Sequence, residues 1–213
     1  MRDVPSRTFL NAGVRGCVMV DDIILPQGNE KELAEMAARL GMRSLLALYP
    51  IGRVPTSLPK LACDVVVGTL CDANRAEAAL QNGGIVALIS SEVDKNVFER
   101  RSAPSLLLGV GETTKGDRMH QREGGLNQPL ARSLAKHGTI VVLALSSLLQ
   151  RDGEQRAQLL GRWMQNAAIC RKANVRTLIA SCASTPYGLR AAAERKSIGV
   201  IVGLHEAEAL TAF

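Results

Sequence analysis

At 213 residues, 46% of them hydrophobic and 22% charged, the chain is long enough to bury one sizeable core. Its longest apolar run, Ile140 to Leu145, weakly extended through two serines to Leu149, falls far short of the ~20 residues a membrane span needs. The start, Met1-Arg2-Asp3-Val4-Pro5-Ser6-Arg7, lacks the apolar centre of a signal peptide, so a soluble cytoplasmic protein is expected.

The net charge of +6 is unevenly distributed. Residues 1–100 carry 11 Lys and Arg against 12 Asp and Glu, whereas residues 101–213 carry 15 against 8. A basic half of this kind suits a polyanionic partner. Aromatic residues are only 3%, which disfavours single-strand recognition by base stacking and favours reading of backbone and shape. Cys17, Cys63, Cys71, Cys170 and Cys182 are odd in number and never in C-x2-C spacing, so buried, reduced thiols are expected.

Short apolar runs recur along the chain: Gly16–Val20, Ser44–Tyr49, Asp64–Leu70, Gly84–Ile89, Ser105–Val110, Thr139–Leu145 and Arg176–Ala180. They lack polar alternation, as parallel strands buried on both faces do. Helical patterns separate many of them. Asn29 with Glu32 reads as a capping box for a helix whose apolar face is Leu33, Met36, Ala37 and Leu40. Asp72 caps a second helix carrying Ala76, Ala79 and Leu80, and Asn127 a third carrying Leu130 and Leu134 and ended by Gly138. The longest runs from about Gly153 to Asn174, with Leu159, Leu160, Trp163, Ala167 and Cys170 near its inward stripe. Thr185-Pro186 reads as the N-cap and first residue of the next helix. Ser197–Leu204 fits strand or helix equally. A single (β/α) barrel over residues 1–213, regular or incomplete, is the predicted architecture, with an open doubly wound sheet as the alternative. The segment Gly111–Gly125 has no period; it reads as a mobile loop or one that a partner orders.

Catalytic motifs fail one after another. Gly109 to Gly116 resembles a phosphate loop only superficially, because Lys115 precedes Gly116 and Asp117 follows, leaving Lys115, Arg118 and Arg122 as non-specific phosphate contacts at most. His120, His137 and His205 never stand in H-x-H spacing. Asp21-Asp22, placed at the end of the first strand, could hold a metal in a barrel mouth, although capping or loop ordering is preferred. No G-x-S-x-G is present, and Cys182 has no local basic partner. No catalytic residue and no protein-bound metal or cofactor is assigned. The basic set is stronger: Arg171 and Lys172 close the long helix, Arg176 opens the last strand, and Arg190, Arg195 and Lys196 follow the loop containing Ser181 and Ser184. Joined by one strand, these residues are expected to lie close together, with cations and hydroxyls holding phosphate.

The chain from Arg156 to Arg190, above all "NAAICRKANVRTLIASCASTPYGLR", together with Gly125–Ala131 and the strand and Ser-rich turn Ile140–Leu149, resembles the archaeal and eukaryotic ribonuclease P protein component 3 family, the thirty-kilodalton subunit. The resemblance covers residues 125–204 and continues more weakly through Asp21–Ala87, where "PQGNEKELAEMAARLGMRSLLAL" fits the family's first helix and second strand. It departs from the pattern between Glu99 and Gly125, so Lys115, Arg118 and His120 take no role from it. What the resemblance implies is a barrel related to the polymerase and histidinol phosphatase superfamily without its metal-binding histidines. It further implies a non-catalytic protein subunit of the ribonuclease P endoribonuclease, assisting a catalytic RNA that removes the 5′ leader from precursor tRNA. Magnesium would sit on the RNA, and a small ferredoxin-like subunit and other protein subunits would be partners. On that reading Arg171, Lys172, Arg176, Arg190, Arg195 and Lys196 contact RNA, with Ser181 and Ser184 beside them. A metal-dependent phosphoesterase, a sugar-phosphate enzyme on the same barrel and a protein-binding scaffold are the rivals.

Overall fold

A computed structural model describes residues 20–91, 97–98, 103–117 and 122–205. Seven strands form one sheet in sequential order: β1 (Asp22–Ile24), β2 (Ser44–Pro50), β3 (Asp64–Cys71), β4 (Ile85–Ile89), β5 (Leu106–Leu108), β6 (Ile140–Ala144) and β7 (Thr177–Ala180). Every neighbouring pair is parallel. The two edges meet through a parallel bridge between Ile24 and Ala183 and the Leu25 N–H donating to Ala183 O at 2.9 Å. The sheet is therefore a nearly closed (β/α) barrel, and the open doubly wound alternative is set aside.

Both faces of the wall are apolar, which explains the unbroken hydrophobic runs. Along β6, Ile140, Val142 and Ala144 face the lumen while Val141 and Leu143 face the helices; β7 repeats this with Leu178 and Ala180 against Ile179. The lumen is filled by aliphatic side chains, including Leu46, Leu48, Leu106 and Leu108. Packing there is tight enough that a Cβ on Gly68 would stand 2.8 Å from Leu48 Cδ2.

The helices are α1 (Glu30–Arg39), α2 (Ala76–Gln81), α3 (Gln128–His137), α4 (Leu145–Leu149), α5 (Gly153–Lys172) and α6 (Ala192–Ile201). Two caps match the sequence reading. Asn127 accepts from the Leu130 N–H at 2.9 Å, with Gly138 left-handed at the far end of α3. Asp72 accepts from the Arg75 N–H at 3.0 Å, opening a 3-10 turn that leads into α2. Three expectations change and an open one is decided. Gly16–Met19 lie outside the described residues and the first described strand is Asp22–Ile24, so Asp21 precedes and Asp22 begins that strand. Asn29 makes no capping bond, because its side chain is taken by the Gln27 N–H and by Ser184 O. Thr185-Pro186 opens a single 3-10 turn, and the helix starts only at Ala192, where Glu194 accepts from the Ala191 N–H. The run Ser197–Leu204 is helical as far as Ile201.

Seam closure uses polar groups. Asp22 Oδ1 accepts from the Ser181 N–H at 2.8 Å across the β1–β7 junction and pairs with Arg195 Nη1 at 3.3 Å. Arg195 projects from α6 and is 0% exposed; its Nε donates to Arg190 O at 3.1 Å. Burial holds the Asp22 carboxyl above its ordinary range, and the Arg195 guanidinium offsets only part of that rise. The guanidinium keeps its charge even when desolvated, so the pair is held as an ion pair.

The segment after β5 is also fixed from within the chain. Arg162 of α5, 3% exposed, donates through Nη1 to Gly111 O and Thr113 O, through Nη2 to Lys115 O, and through Nε to Asp117 Oδ1 at 2.7 Å. Asn166, one turn on, donates to Gly124 O at 2.7 Å. Gly161 leaves room for the Arg122 guanidinium, which a Cβ there would strike. The expectation of a mobile or partner-ordered loop is thus corrected: over its described residues, the segment is ordered by α5. Burial pushes the Asp117 carboxyl up, but the Glu123 N–H and Arg162 outweigh it and hold it below its ordinary range.

Cys71, Cys170 and Cys182 are buried and Cys63 half-buried, all free, with burial pushing the Cys63, Cys71 and Cys170 thiols up to about 11. Cys17 lies outside the described residues.

Removing one member of the seam pair strands the other, which for buried pairs costs about 3–5 kcal/mol. Arg195→Met should lower the urea midpoint sharply, and adding Asp22→Asn should recover part of the loss. Equal midpoints for Arg195→Met and the parent would refute the seam role. Arg162→Leu should expose residues 109–117 to limited proteolysis, and an unchanged digest would show that the loop holds itself. Asp117 with its lowered carboxyl contributes stability above pH 3.8 that fades as pH falls below it, so hydrogen exchange in this loop should quicken there.

Candidate nucleic-acid interface

Parallel topology places every strand N-terminus, and the C-terminus of each helix that precedes a strand, at one end of the barrel. Cations suit helix C-termini because the unpaired carbonyls there carry partial negative charge. Here that preference gathers them. Arg171 and Lys172 end α5 and are exposed, and Arg176 stands exposed just before β7. Between them Asn174 takes a left-handed conformation (φ 58°), and the Val175 N–H returns to Cys170 O, turning the chain into the strand. Arg171 also donates to Gly203 O, tying the end of α6 to the same face.

Neighbouring strands add to this rim. Lys136 closes α3 before β6, and Arg39 and Arg43 flank the turn from α1 into β2; all three are exposed. Following the sheet order, the rim reads Lys136, then Arg171, Lys172 and Arg176, then Asp21, then Arg43 with Arg39. Asp21 Oδ2 accepts from the Arg43 and Ser44 N–H groups at 2.7 and 3.1 Å, the loop-ordering role preferred from sequence. Arg39, Arg43 and Lys136 were missed by the sequence reading. Their signal was a cation in the last turn of a helix, or just past it, before a strand.

The remaining predicted residues lie elsewhere. Ser181 follows β7, five residues from Arg176, or roughly 17 Å along an extended strand at ~3.3 Å per residue. The six cations are therefore not one cluster, because the joining strand separates its ends instead of uniting them. Arg190, half-buried, belongs to the opposite end. Its Nη1 donates to Tyr187 O and Leu189 O, and its N–H donates to Ser181 Oγ. Ser181 is 0% exposed, so it braces the turn and is unavailable as a phosphate donor. Ser184 is half-buried, its carbonyl accepting from Asn29 Nδ2. Arg195 is likewise corrected: committed to Asp22 inside the fold, it presents nothing to solvent. Lys196 is half-buried on α6.

Metal chemistry finds no matching donor set. Among the described residues, no three His, Cys, Asp or Glu side chains group as a metal site. Asp21 and Asp22 stand at the N-terminal end of β1, where Asp21 Oδ2 accepts from backbone amides and Asp22 Oδ1 takes the Ser181 amide and the Arg195 guanidinium. Glu112, at the opposite end, has its carboxyl raised by burial and accepts from Ser147 Oγ at 2.8 Å. His137 ends α3, His205 is exposed beyond α6, and Arg118 and His120 lie outside the described residues. No described helix is long and apolar enough to cross a membrane.

Comparison with known proteins follows the same line. No family model matches the chain. Over 91 residues it is 35% identical to ribonuclease P protein component 3 of Methanosarcina acetivorans and 34% identical to that of Methanosarcina mazei. In each case the match takes in 43% of this chain and 38% of the relative, so the chain spans about two fifths of the length of the curated relatives it matches. In fold it is similar to a chain of archaeal ribonuclease P with mature tRNA, solved by cryo-EM, with a TM-score of 0.64, 13% identity, and coverage of 87% of this chain and 84% of that one. It is also similar to histidinol phosphate phosphatase of Lactococcus lactis, crystallised with zinc, L-histidinol and phosphate, with a TM-score of 0.58, 8% identity, and coverage of 86% and 94%. Over its matched stretch the chain is similar in sequence to ribonuclease P protein component 3, and over most of its length it is similar in fold to a chain of archaeal ribonuclease P.

Proposed function

We propose that the chain is a protein subunit of ribonuclease P, bracing the catalytic RNA while that RNA removes the 5′ leader from precursor tRNA. The observation that carries this is the 91-residue match at 35% identity to a named component of that enzyme. The basic rim supplies the means. Exposed Arg171, Lys172 and Arg176, with Arg39, Arg43 and Lys136 beside them, replace the counterions of close-packed RNA strands and lower their mutual repulsion. Arg190 and Lys196 make secondary contacts on other faces. The polypeptide contributes no catalytic residue and binds no cofactor; magnesium belongs to the RNA. Its partners are the ribonuclease P RNA, the precursor tRNA, a small ferredoxin-like subunit and other protein subunits, and it works in the cytoplasm.

Reconstitution tests the reading. Adding the chain to the RNA and the remaining subunits should raise the rate of leader removal. No change on addition, or chelator-sensitive hydrolysis of a phosphate ester by the isolated chain, would overturn it, the latter in favour of a metal-dependent phosphoesterase. Within the rim, Lys172→Glu with Arg176→Glu should weaken RNA binding and flatten the salt dependence by roughly 1–2 in the slope of log K against log salt. The melting temperature should stay unchanged, since both side chains are exposed. An unaltered slope would remove these two residues from the interface.

A further inference from the structure

The turn after β7 carries a feature that phosphate neutralisation leaves unexplained. Tyr187 is 85% exposed. The other described aromatic residues, Tyr49, Phe98 and Trp163, are all buried, so among the described residues Tyr187 alone turns its ring to water. An exposed ring on a loose loop would mean little, but this turn is braced on several sides. The Gly188 N–H donates to Thr185 O at 3.0 Å, and the Leu189 N–H to Pro186 O at 3.2 Å. Arg190 clamps the carbonyls of Tyr187 and Leu189 at 2.7 and 2.8 Å, and its own N–H is fixed by buried Ser181. From just before α1, Asn29 Nδ2 donates to Ser184 O at 2.9 Å. Gly188 sits so close to the wall that a Cβ there would stand 3.1 Å from Ala183 Cβ. The backbone is thus fixed in advance while the ring stays uncovered, an arrangement that lowers the ordering cost of binding.

We infer that Tyr187 is a stacking platform for one unpaired nucleobase of the bound RNA, with the Arg190 guanidinium beside it meeting the adjoining backbone. This rests on the reading of the chain as an RNA-binding subunit and adds to it a contact to a base, at the end of the barrel opposite the basic rim. The surroundings favour a nucleotide over a protein. The ring's neighbours in the turn are Ser184, Thr185, Pro186 and Gly188, and no other exposed large hydrophobic residue belongs to the segment 181–195. A tyrosine that anchors a protein interface sits within an apolar, water-excluding surround, whereas a base needs only a π-face and a nearby cation.

The test uses the full chain and two RNA probes. One is a hairpin with a purine loop containing a single 2-aminopurine; the other is a fully paired duplex of equal length. Tyr187→Ala should weaken hairpin binding about tenfold or more, leave duplex binding unchanged, and abolish the quenching of 2-aminopurine seen with the parent. Tyr187→Phe should restore both affinity and quenching. Three results would overturn the inference: equal hairpin affinity for parent and Tyr187→Ala, equal loss on both probes, or a defect confined to association with a protein subunit. Parent chain that binds neither RNA would overturn the proposed function as well, so the two failures are distinguishable.

Discussion

Closure of this barrel depends on a buried charge pair in place of a continuous ladder of strand hydrogen bonds. Between β7 and β1 the backbone offers a bridge at Ala183 and one amide bond from Leu25. The rest of the junction is held by the Asp22 carboxylate, which takes the Ser181 amide from one side and the Arg195 guanidinium from the other. Desolvating both groups is costly, and their attraction and hydrogen bonds must offset that cost. The arrangement also fixes register: a one-residue slip of β1 would turn Asp22 into the aliphatic lumen, where it has no partner. Because Arg195 rides on α6 and Ser181 begins the turn after β7, α6 and that turn are both tied to β1 by the same carboxylate.

That alignment decides which cations can meet a ligand. Arg195 and Arg162 are both withdrawn from solvent, one to lock the seam and the other to strap the loop after β5. Charge counted along the sequence therefore overstates the charge presented at the surface. Part of what remains outside is gathered by topology, since the cations that end α1, α3 and α5 fall at one end of a parallel barrel. Local helix electrostatics and the location of the proposed interface thus share one cause.

Much of the fold could be read from residue patterns because both faces of each strand are buried, leaving unbroken runs such as Ile140–Ala144. The Asn127 and Asp72 caps were legible because they act within three residues. Failures came where partners are distant. Asn29 looks like a helix cap, yet its side chain answers to Ser184, 155 positions away. Ser181 sits among small polar residues that read as a surface loop, and only seam geometry buries it. Arg195 follows a basic pattern whose outward appearance depends on where α6 begins, and the 3-10 turn at Pro186–Gly188 shifts that start to Ala192. Arg162 and Asn166 carried a faint mark, two polar residues four apart on the inward stripe of α5, but nothing local names the carbonyls they hold.

The packed lumen has its own consequence. Among the described residues, Leu48 stands close against Gly68 and aliphatic side chains fill the barrel axis. The two ends are thus separated by a packed wall, and the barrel sets a fixed distance between them.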